Sequence, residues 1–475
     1  MKNIVILGAG ESGVGAALLA KKLGFNVFVS DKSAIKDNFR KELDAANIAY
    51  ESGTHDKKRI FAADQIVKSP GISEKIDLIQ SLILRGLPVV SEIEFAYQCL
   101  PLLSETLPFI IGITGSNGKT TTTGLTYHLL QTAGLDVAVG GNIGKSFARL
   151  LAEEALHAFY VLELSSFQLD DIKTFRPNVS MILNITPDHL DRYDYKFEHY
   201  AAAKFRIAMN QTQDDLLIFN GNDAESQRQL KKYDRSVKTE PIWAEKWTAG
   251  KAIYIKEIRV HIELTEEDCH KHVSRAAAMR RLKDCPTETF DYNYELTNPH
   301  LQGPHNYFNA FCAIKAFGAA GGDKSLIQKG LDTFVNAPHR LEFVANVNGT
   351  DYFNDSKATN VDSVFWALSA MTKPTILIIG GQDKGNDYRQ IEALVRQKVK
   401  AIVALGVDNS KIVAFFSPIV KYLEETQSAA EAVAVAAKYT EGGDAVLLSP
   451  ACASFDLFKN YEDRGEQFKM AVRNL

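Results

Sequence analysis

Little in this sequence points to disulfides, membranes or nucleic acid. Its five cysteines, Cys99, Cys269, Cys285, Cys312 and Cys452, are odd in number and scattered, and no two form a CxxC pair. That argues against a disulfide scaffold or a zinc ribbon and fits a reducing compartment. No apolar run approaches the roughly 18 residues that span a bilayer. Positive charge is not in excess either: the net charge is -4 and the isoelectric point is near 6.3. No global field draws nucleic acid or anionic lipid, so an anionic ligand must be met by a local site. Met1 leads directly into KNIVILG, without the basic region, apolar stretch and cleavage site of a secretory leader. The expectation is a cytoplasmic monomer with no nucleic-acid partner and no membrane insertion.

What is present suffices for several cores. With 475 residues, 45% hydrophobic and 24% charged, the length suggests about three domains. The first hundred residues alternate short β-branched runs with helical patterns: Ile4 to Leu7, Gly13 to Leu23, Val27 to Ser30, Gln65 to Lys68 and Pro88 to Val90. This is the rhythm of βαβ units on a parallel sheet. A Pro-containing stretch, Leu100 to Pro108, then precedes the strand FIIGIT, which opens a second block with VAVG, FYVLEL and VSMILNI. A third block begins near Ala337 and carries DYFND, TILIIGG, AIVALG and AVLLSP. The predicted fold class is α/β, with three domains at 1–99, 100–336 and 337–475. From Lys231 to Pro299 the pattern is poorer, mixing charged runs with a cluster of Cys269, His270 and His272. Three soft ligands without a fourth at the usual spacing read as a solvated surface segment rather than a metal site.

Two glycine-rich loops carry the chemistry. In IVILGAGESGVG, Gly8, Gly10 and Gly13 stand in GxGxxG spacing after a strand and at the start of a helix, and Asp31 ends the next strand. Such glycines let backbone approach a diphosphate at the helix N-terminus. Taken alone, this fingerprint favours an NAD-linked dehydrogenase, with Asp31 on the ribose hydroxyls; an unliganded tight turn is the structural alternative. The second loop, FIIGITGSNGKTTTT, sets Gly115, Ser116, Asn117, Gly118, Lys119, Thr120 and Thr121 between a buried strand and a helix. Backbone amides there can cradle ATP phosphates, Lys119 can reach the β and γ phosphates, and the Thr120 hydroxyl suits Mg²⁺. Ile113 stands where the general phosphate-loop pattern has its first glycine, so the narrower signature TGxNGKT applies.

From TGSNGKTTT onward the chain resembles the Mur ligase family. The further marks are GNIG, ELSSFQL, LNITPDHLDRY, AAAKFRI, GPHNYFNA, PHR, NDSKATN, GGQDKG and SPACASFDLFKNYEDRG, in that order along the sequence. The GxGxSG loop, NDSKATN and the ACASFDxFKNxxxRG ending resemble the branch of the family that adds D-glutamate. The resemblance implies a Rossmann-like UDP-binding domain, a central phosphate-loop ATPase domain with a mostly parallel sheet, and a Rossmann-like C-terminal domain. It implies ATP-dependent ligation of D-glutamate to UDP-N-acetylmuramoyl-L-alanine through an acyl phosphate, and no nicotinamide. Two departures stand out: the segment from Lys231 to Pro299 is long, and Tyr461 stands where the resemblance suggests Phe.

Residue roles follow from the resemblance. Thr120 and Glu163 would hold a first Mg²⁺, and His189 with Lys204 a second; Lys204 would serve as a CO₂-derived carbamate, which requires a neutral amine. Asn306, Asn309, Arg340 and Asp355 would hold the nucleotide, with Lys357 near the reacting phosphate. For the UDP-substrate the matching positions are Glu11, through its backbone N–H, Ser12, Asp31, Lys32, Gly71, Asn142, Ser165 and Gln168. For D-glutamate they are Thr359, Lys384, Ser454, Phe455 and Tyr461. Outside the resemblance, Glu163 reads as a turn carboxylate, His189 as a structural strand-end histidine, Lys204 as a surface lysine and Asn306 as a helix cap.

Overall fold

Apolar runs too short to be helices become buried strands. The structure, a computed structural model, describes residues 2–233, 236–243, 252–260, 287–301 and 303–475. The first sheet contains β1 (Asn3–Leu7), β2 (Asn26–Asp31), β3 (Ala49–Ser52), β4 (Gln65–Lys68) and β5 (Val89–Ser91) in the order β3-β2-β1-β4-β5. All its pairings are parallel. The second sheet has β6 (Phe109–Thr114), β7 (Val137–Gly141), β8 (Phe159–Glu163), β9 (Val179–Ile182), β10 (Leu216–Asn220) and β11 (Lys238–Ile242), ordered β11-β10-β9-β6-β8-β7. It too is wholly parallel. An antiparallel pair follows, β12 (Ala252–Val260) with β13 (Thr287–Glu295). The cluster of Cys269, His270 and His272 lies outside the described residues.

The third sheet runs β14-β15-β19-β16-β17-β18, from β14 (Glu342–Val347), β15 (Thr350–Asn354), β16 (Thr375–Gly380), β17 (Val399–Leu405), β18 (Tyr422–Thr426) and β19 (Ala445–Ala451). Only the β14 and β15 pairing is antiparallel. The chain divides into two compact units, Met1–Leu296 with Phe308–Asp332, and Thr297–Tyr307 with Thr333–Leu475. The Pro-containing stretch from Leu100, where the first domain was expected to end, begins inside the helix Glu92–Leu103, which carries Pro101 in its last turn.

Within the first unit the two parallel sheets are fixed together by charge as well as by apolar packing. The helix Glu11–Lys22 lies against the helix Phe147–Glu153. Arg149, almost buried, reaches Glu11 at 2.8 Å, Glu42 at 2.6 Å and Glu153 at 2.7 Å. Lys68, fully buried on β4, pairs with Asp171 at 2.7 Å. The Glu94 carboxylate accepts backbone N–H groups of Lys173, Thr174 and Phe175. Removing one partner of a buried pair of this kind costs about 3–5 kcal/mol, since the other charge is left uncompensated. The glycine loop after β1 and the phosphate loop after β6 therefore lie in the same compact unit.

Glu92 sits at this junction with 1% of its surface exposed. One carboxyl oxygen accepts the Ala148 N–H at 2.5 Å, and the other has no hydrogen-bond partner among the described residues. Burial pushes the carboxyl up to about 8. The folded-state value thus lies above the unfolded one, so the fold binds a proton the unfolded chain releases. Its contribution to stability is complete below the unfolded value and disappears as pH rises through about 8. Glu92→Gln is expected to melt near wild type at pH 5 and above it at pH 9, by on the order of 5 °C. Thermal scans at both pH values check this, and equal melting at pH 9 would refute it.

Candidate active site

The phosphate loop is built by a strand, four residues and a helix. β6 ends at Thr114, and the helix Lys119–Thr132 begins after Gly118, whose φ is +82°. A Cβ at Gly118 would also fall 2.7 Å from the Asn309 side-chain oxygen, so only glycine fits there. Asn309 is thereby placed directly on the loop. Ser116 Oγ donates to the Thr186 carbonyl and accepts the Thr186 N–H, both at 2.9 Å, and Asn117 N–H donates to Asn184 Oδ1. Lys119 Nζ folds back on the carbonyls of Gly115 at 2.8 Å and Ser116 at 2.9 Å. Thr120 and Thr121 are buried on the helix's first turn.

Glu163 ends β8, the neighbour of β6, in register with Ile113. It is 2% exposed; Asn142 Nδ2 donates to Oε1 at 2.9 Å, while Oε2 is buried without a hydrogen-bond partner among the described residues. A buried carboxylate oxygen lacking a donor is costly, and a hard divalent cation would satisfy it. The set of Glu163 carboxylate and Thr120 hydroxyl suits Mg²⁺ rather than zinc. No group of three His, Cys, Asp or Glu side chains that could hold a metal occurs among the described residues.

Lys204 lies on the helix Phe197–Phe205 and is 2% exposed, not a surface lysine. Its Nζ donates to the Gly115 carbonyl at 2.9 Å and stands 4.6 Å from the centre of the Tyr200 ring. Burial, with the neighbouring Lys119 ammonium, holds the amine well below the usual lysine range. His189 has a left-handed backbone, φ 51°, uncommon outside glycine, and its ring meets Phe167 edge-on at 5.0 Å. Ser165 and Gln168 are spent on each other: they form a capping box around the helix Ser166–Leu169.

A cavity of about 630 Å³ opens at the glycine loop, lined by Gly8 to Ser12, Asp31 to Ser33, His55 and Ser69 to Ser73 among others. Gly13 is required because a Cβ there would fall 1.8 Å from the Gly8 carbonyl oxygen. Glu11 turns its carboxylate away, to Arg149 and the Ser146 N–H. Asp31 accepts the N–H groups of Ala9 at 2.7 Å and Ser33 at 2.8 Å, so its carboxylate closes the loop as well as facing the cavity. Lys32 and Gly71 are exposed at the rim. Sequence reading missed His55, whose Nδ1 contacts Ser30 Oγ at 2.6 Å, because a lone histidine between turn residues carries no signal.

In the second unit Asp355 follows β15. Leu341 N–H and Ser449 Oγ–H donate to it, and its enclosed carboxyl is pushed up to about 7 by burial. Arg340 lies near enough to oppose that rise. Lys357 Nζ stands 5.1 Å from the Tyr461 ring centre. Arg464, buried, donates to Ser356 Oγ and to the carbonyls of Ser356 and Cys452, tying NDSKATN to the loop after β19. Ser454 is buried and Thr359 half-buried, whereas Lys384 is exposed and Phe455 is 69% exposed. Asn306 is buried at the start of the helix Pro304–Ala319.

Comparison with known proteins accords with this arrangement. Residues 2–91 match the MurD-like N-terminal domain of Mur ligases, 113–317 the Mur ligase middle domain, and 339–452 the Mur ligase glutamate ligase domain. The chain is 48% identical over 475 residues to a UDP-N-acetylmuramoylalanine--D-glutamate ligase of Cytophaga hutchinsonii, covering all of this chain and 99% of that one. It is 48% identical over 476 residues to the ligase of the same name from Bacteroides fragilis, covering both in full. Among solved structures, UDP-N-acetylmuramate-alanine ligase from Thermotoga maritima superposes with a TM-score of 0.57 at 17% identity, covering 100% of this chain and 99% of that one. MurF ligase from the same organism, in complex with ADP, gives 0.58 at 14% identity, covering 94% and 95%. The fold agrees with both structures, and the full-length identity settles the kinship: this chain belongs to the Mur ligase family.

Proposed function

We propose that the chain uses ATP to join D-glutamate to UDP-N-acetylmuramoyl-L-alanine, giving the amide, ADP and phosphate, as a cytoplasmic monomer supplying peptidoglycan precursor. The observation that carries the ligase reading is the buried Glu163 oxygen, without a hydrogen-bond partner among the described residues, on the strand beside the phosphate loop. The choice of D-glutamate rests on the name of the relatives that match the whole chain. The three domains at 1–99, 100–336 and 337–475 remain the preferred division of labour.

A carboxylate does not acylate an amine unaided, because oxide is a poor leaving group. In the proposed reaction the substrate carboxylate attacks the γ-phosphorus, ADP leaves, and the amine of D-glutamate then displaces phosphate from the acyl phosphate. Lys119 and the loop amides from Gly115 to Thr121 neutralise phosphate charge as it shifts, and Asn309 orients the nucleotide at Gly118. Thr120 and Glu163 would hold one Mg²⁺, and His189 with carbamylated Lys204 a second, supplying positive charge to the phosphoryl oxygens. Asn306, Arg340 and Asp355 serve the nucleotide, and Lys357 the reacting phosphate. Substrate labelled with ¹⁸O in its carboxylate tests the route: one label should appear in the released phosphate, and its absence would eliminate the acyl phosphate.

For the acceptor, Lys384 would pair with a carboxylate of D-glutamate, alongside Thr359, Ser454, Phe455 and Tyr461. Lys384 is exposed and in a loop, so its loss should leave the fold intact. Lys384→Ala is expected to raise the KM for D-glutamate about tenfold with kcat changed much less. An unchanged KM would remove Lys384 from this role.

A further inference from the structure

Arg192 has no role in the mechanism above, yet it contacts a lining loop of the nucleotide cavity from behind. Its guanidinium donates to the carbonyls of Pro70 at 3.2 Å, Gly71 at 3.3 Å and Ile72 at 3.0 Å. Its side chain is 12% exposed, and its charge lies 3.9 Å from Asp170 and 4.7 Å over the Phe167 ring, whose edge contact carries His189. Buried Lys68 donates to the Ile72 carbonyl as well, at 2.7 Å.

The consequence follows from peptide geometry. All peptides here are trans, so each carbonyl drawn toward Arg192 turns the N–H of the same peptide the opposite way. The Gly71 carbonyl's partner, Ile72 N–H, is used internally, on the Ser69 carbonyl at 3.0 Å. The partners of the Pro70 and Ile72 carbonyls are the N–H groups of Gly71 and Ser73, and neither has a hydrogen-bond partner among the described residues. Gly71 and Ser73 line the cavity, and Arg192 does not. Across that cavity stands the N-terminus of the helix Glu11–Lys22. A cation on the carbonyl side also polarises these peptides, making their N–H groups better donors.

We propose that Arg192 is a positioning residue for the UDP-substrate: it holds the loop Ser69 to Ser73 with the Gly71 and Ser73 amides aimed at an anionic diphosphate, opposite the helix N-terminus. The inference rests on the nucleotide reading of that cavity. A lysine cannot substitute, because an ammonium lacks the planar fork that spans three carbonyls and stacks on Phe167.

The test is calorimetric binding of UDP to wild type, Arg192→Ala and Arg192→Lys, together with steady-state kinetics. Wild type should bind UDP; Arg192→Ala should bind about tenfold more weakly or worse, with the KM for the UDP-substrate rising in parallel. The KM values for ATP and D-glutamate and kcat should change less than about threefold. Guanidinium ion, below denaturing concentrations, should recover part of the UDP affinity of Arg192→Ala, and Arg192→Lys should recover less than half. Wild-type-like UDP binding by Arg192→Ala overturns the proposal. So does a uniform loss across all three substrates with lowered melting, which would make Arg192 merely structural. If wild type itself binds no UDP, the nucleotide reading of the cavity falls first.

Discussion

Replacing Lys204 with alanine is expected to lower kcat by about a thousandfold, and acetate or propionate to restore a measurable part of it. The side chain is enclosed, and the Lys119 ammonium beside it favours the neutral amine. A neutral amine is the form that takes up CO₂, and carbamylation would turn a buried neutral amine into an anionic oxygen ligand. Nζ already rests on the phosphate loop at the Gly115 carbonyl, so the new charge would arise at the loop's base. Two measurements separate this from simple packing loss. Incubation with ¹³C-bicarbonate should give a carbamate carbon signal in wild type and none in Lys204→Ala, and short carboxylates should rescue the variant in proportion to their fit. A variant that is inactive, folded and indifferent to carboxylates would leave Lys204 as a hydrogen-bond donor that steadies the loop at the Gly115 carbonyl.

Glu163→Gln is expected to lower kcat by about a hundredfold or more and to raise the Mg²⁺ concentration needed for half-maximal rate. Glutamine keeps the shape and the oxygen that accepts from Asn142, but removes the charge from a site only 2% exposed. Removing a buried, half-satisfied carboxylate should not destabilise the apo protein, so the melting temperature without Mg²⁺ should hold or rise. Added Mg²⁺ should stabilise wild type more than the variant. Equal stabilisation of both, with activity retained, would place the metal elsewhere.

How much of this was legible beforehand depended on how local the signal was. The phosphate loop, Glu163 at a strand end and the β1 glycine loop are fixed by contiguous residues, and the structure places each on the expected strand and turn. The unread strands are chiefly edge strands. β3 (AYES), β11 (KTEPI) and β18 (YLEET) lie at sheet margins and carry polar or proline residues, and β14 (EFVANV) pairs on one side alone. One-sided pairing leaves no continuous buried run for sequence to display. β10 (LLIFN), an inner strand with such a run, was not among the expected strands either. Contacts across long separations were not: Arg149 to Glu11, Lys68 to Asp171 and Arg192 to Gly71 each join residues about a hundred or more positions apart. The same holds for Lys204, whose helix reads as solvated until the fold buries it.

The most direct test of the central claim is phosphate release from ATP with UDP-N-acetylmuramoyl-L-alanine, comparing D-glutamate with L-glutamate, L-alanine, D-aspartate and no acceptor. Sustained release with D-glutamate alone is the expected result. Silence with D-glutamate, coupled with turnover of UDP-N-acetylmuramate and L-alanine, would contradict the proposed substrate pair and leave only the family.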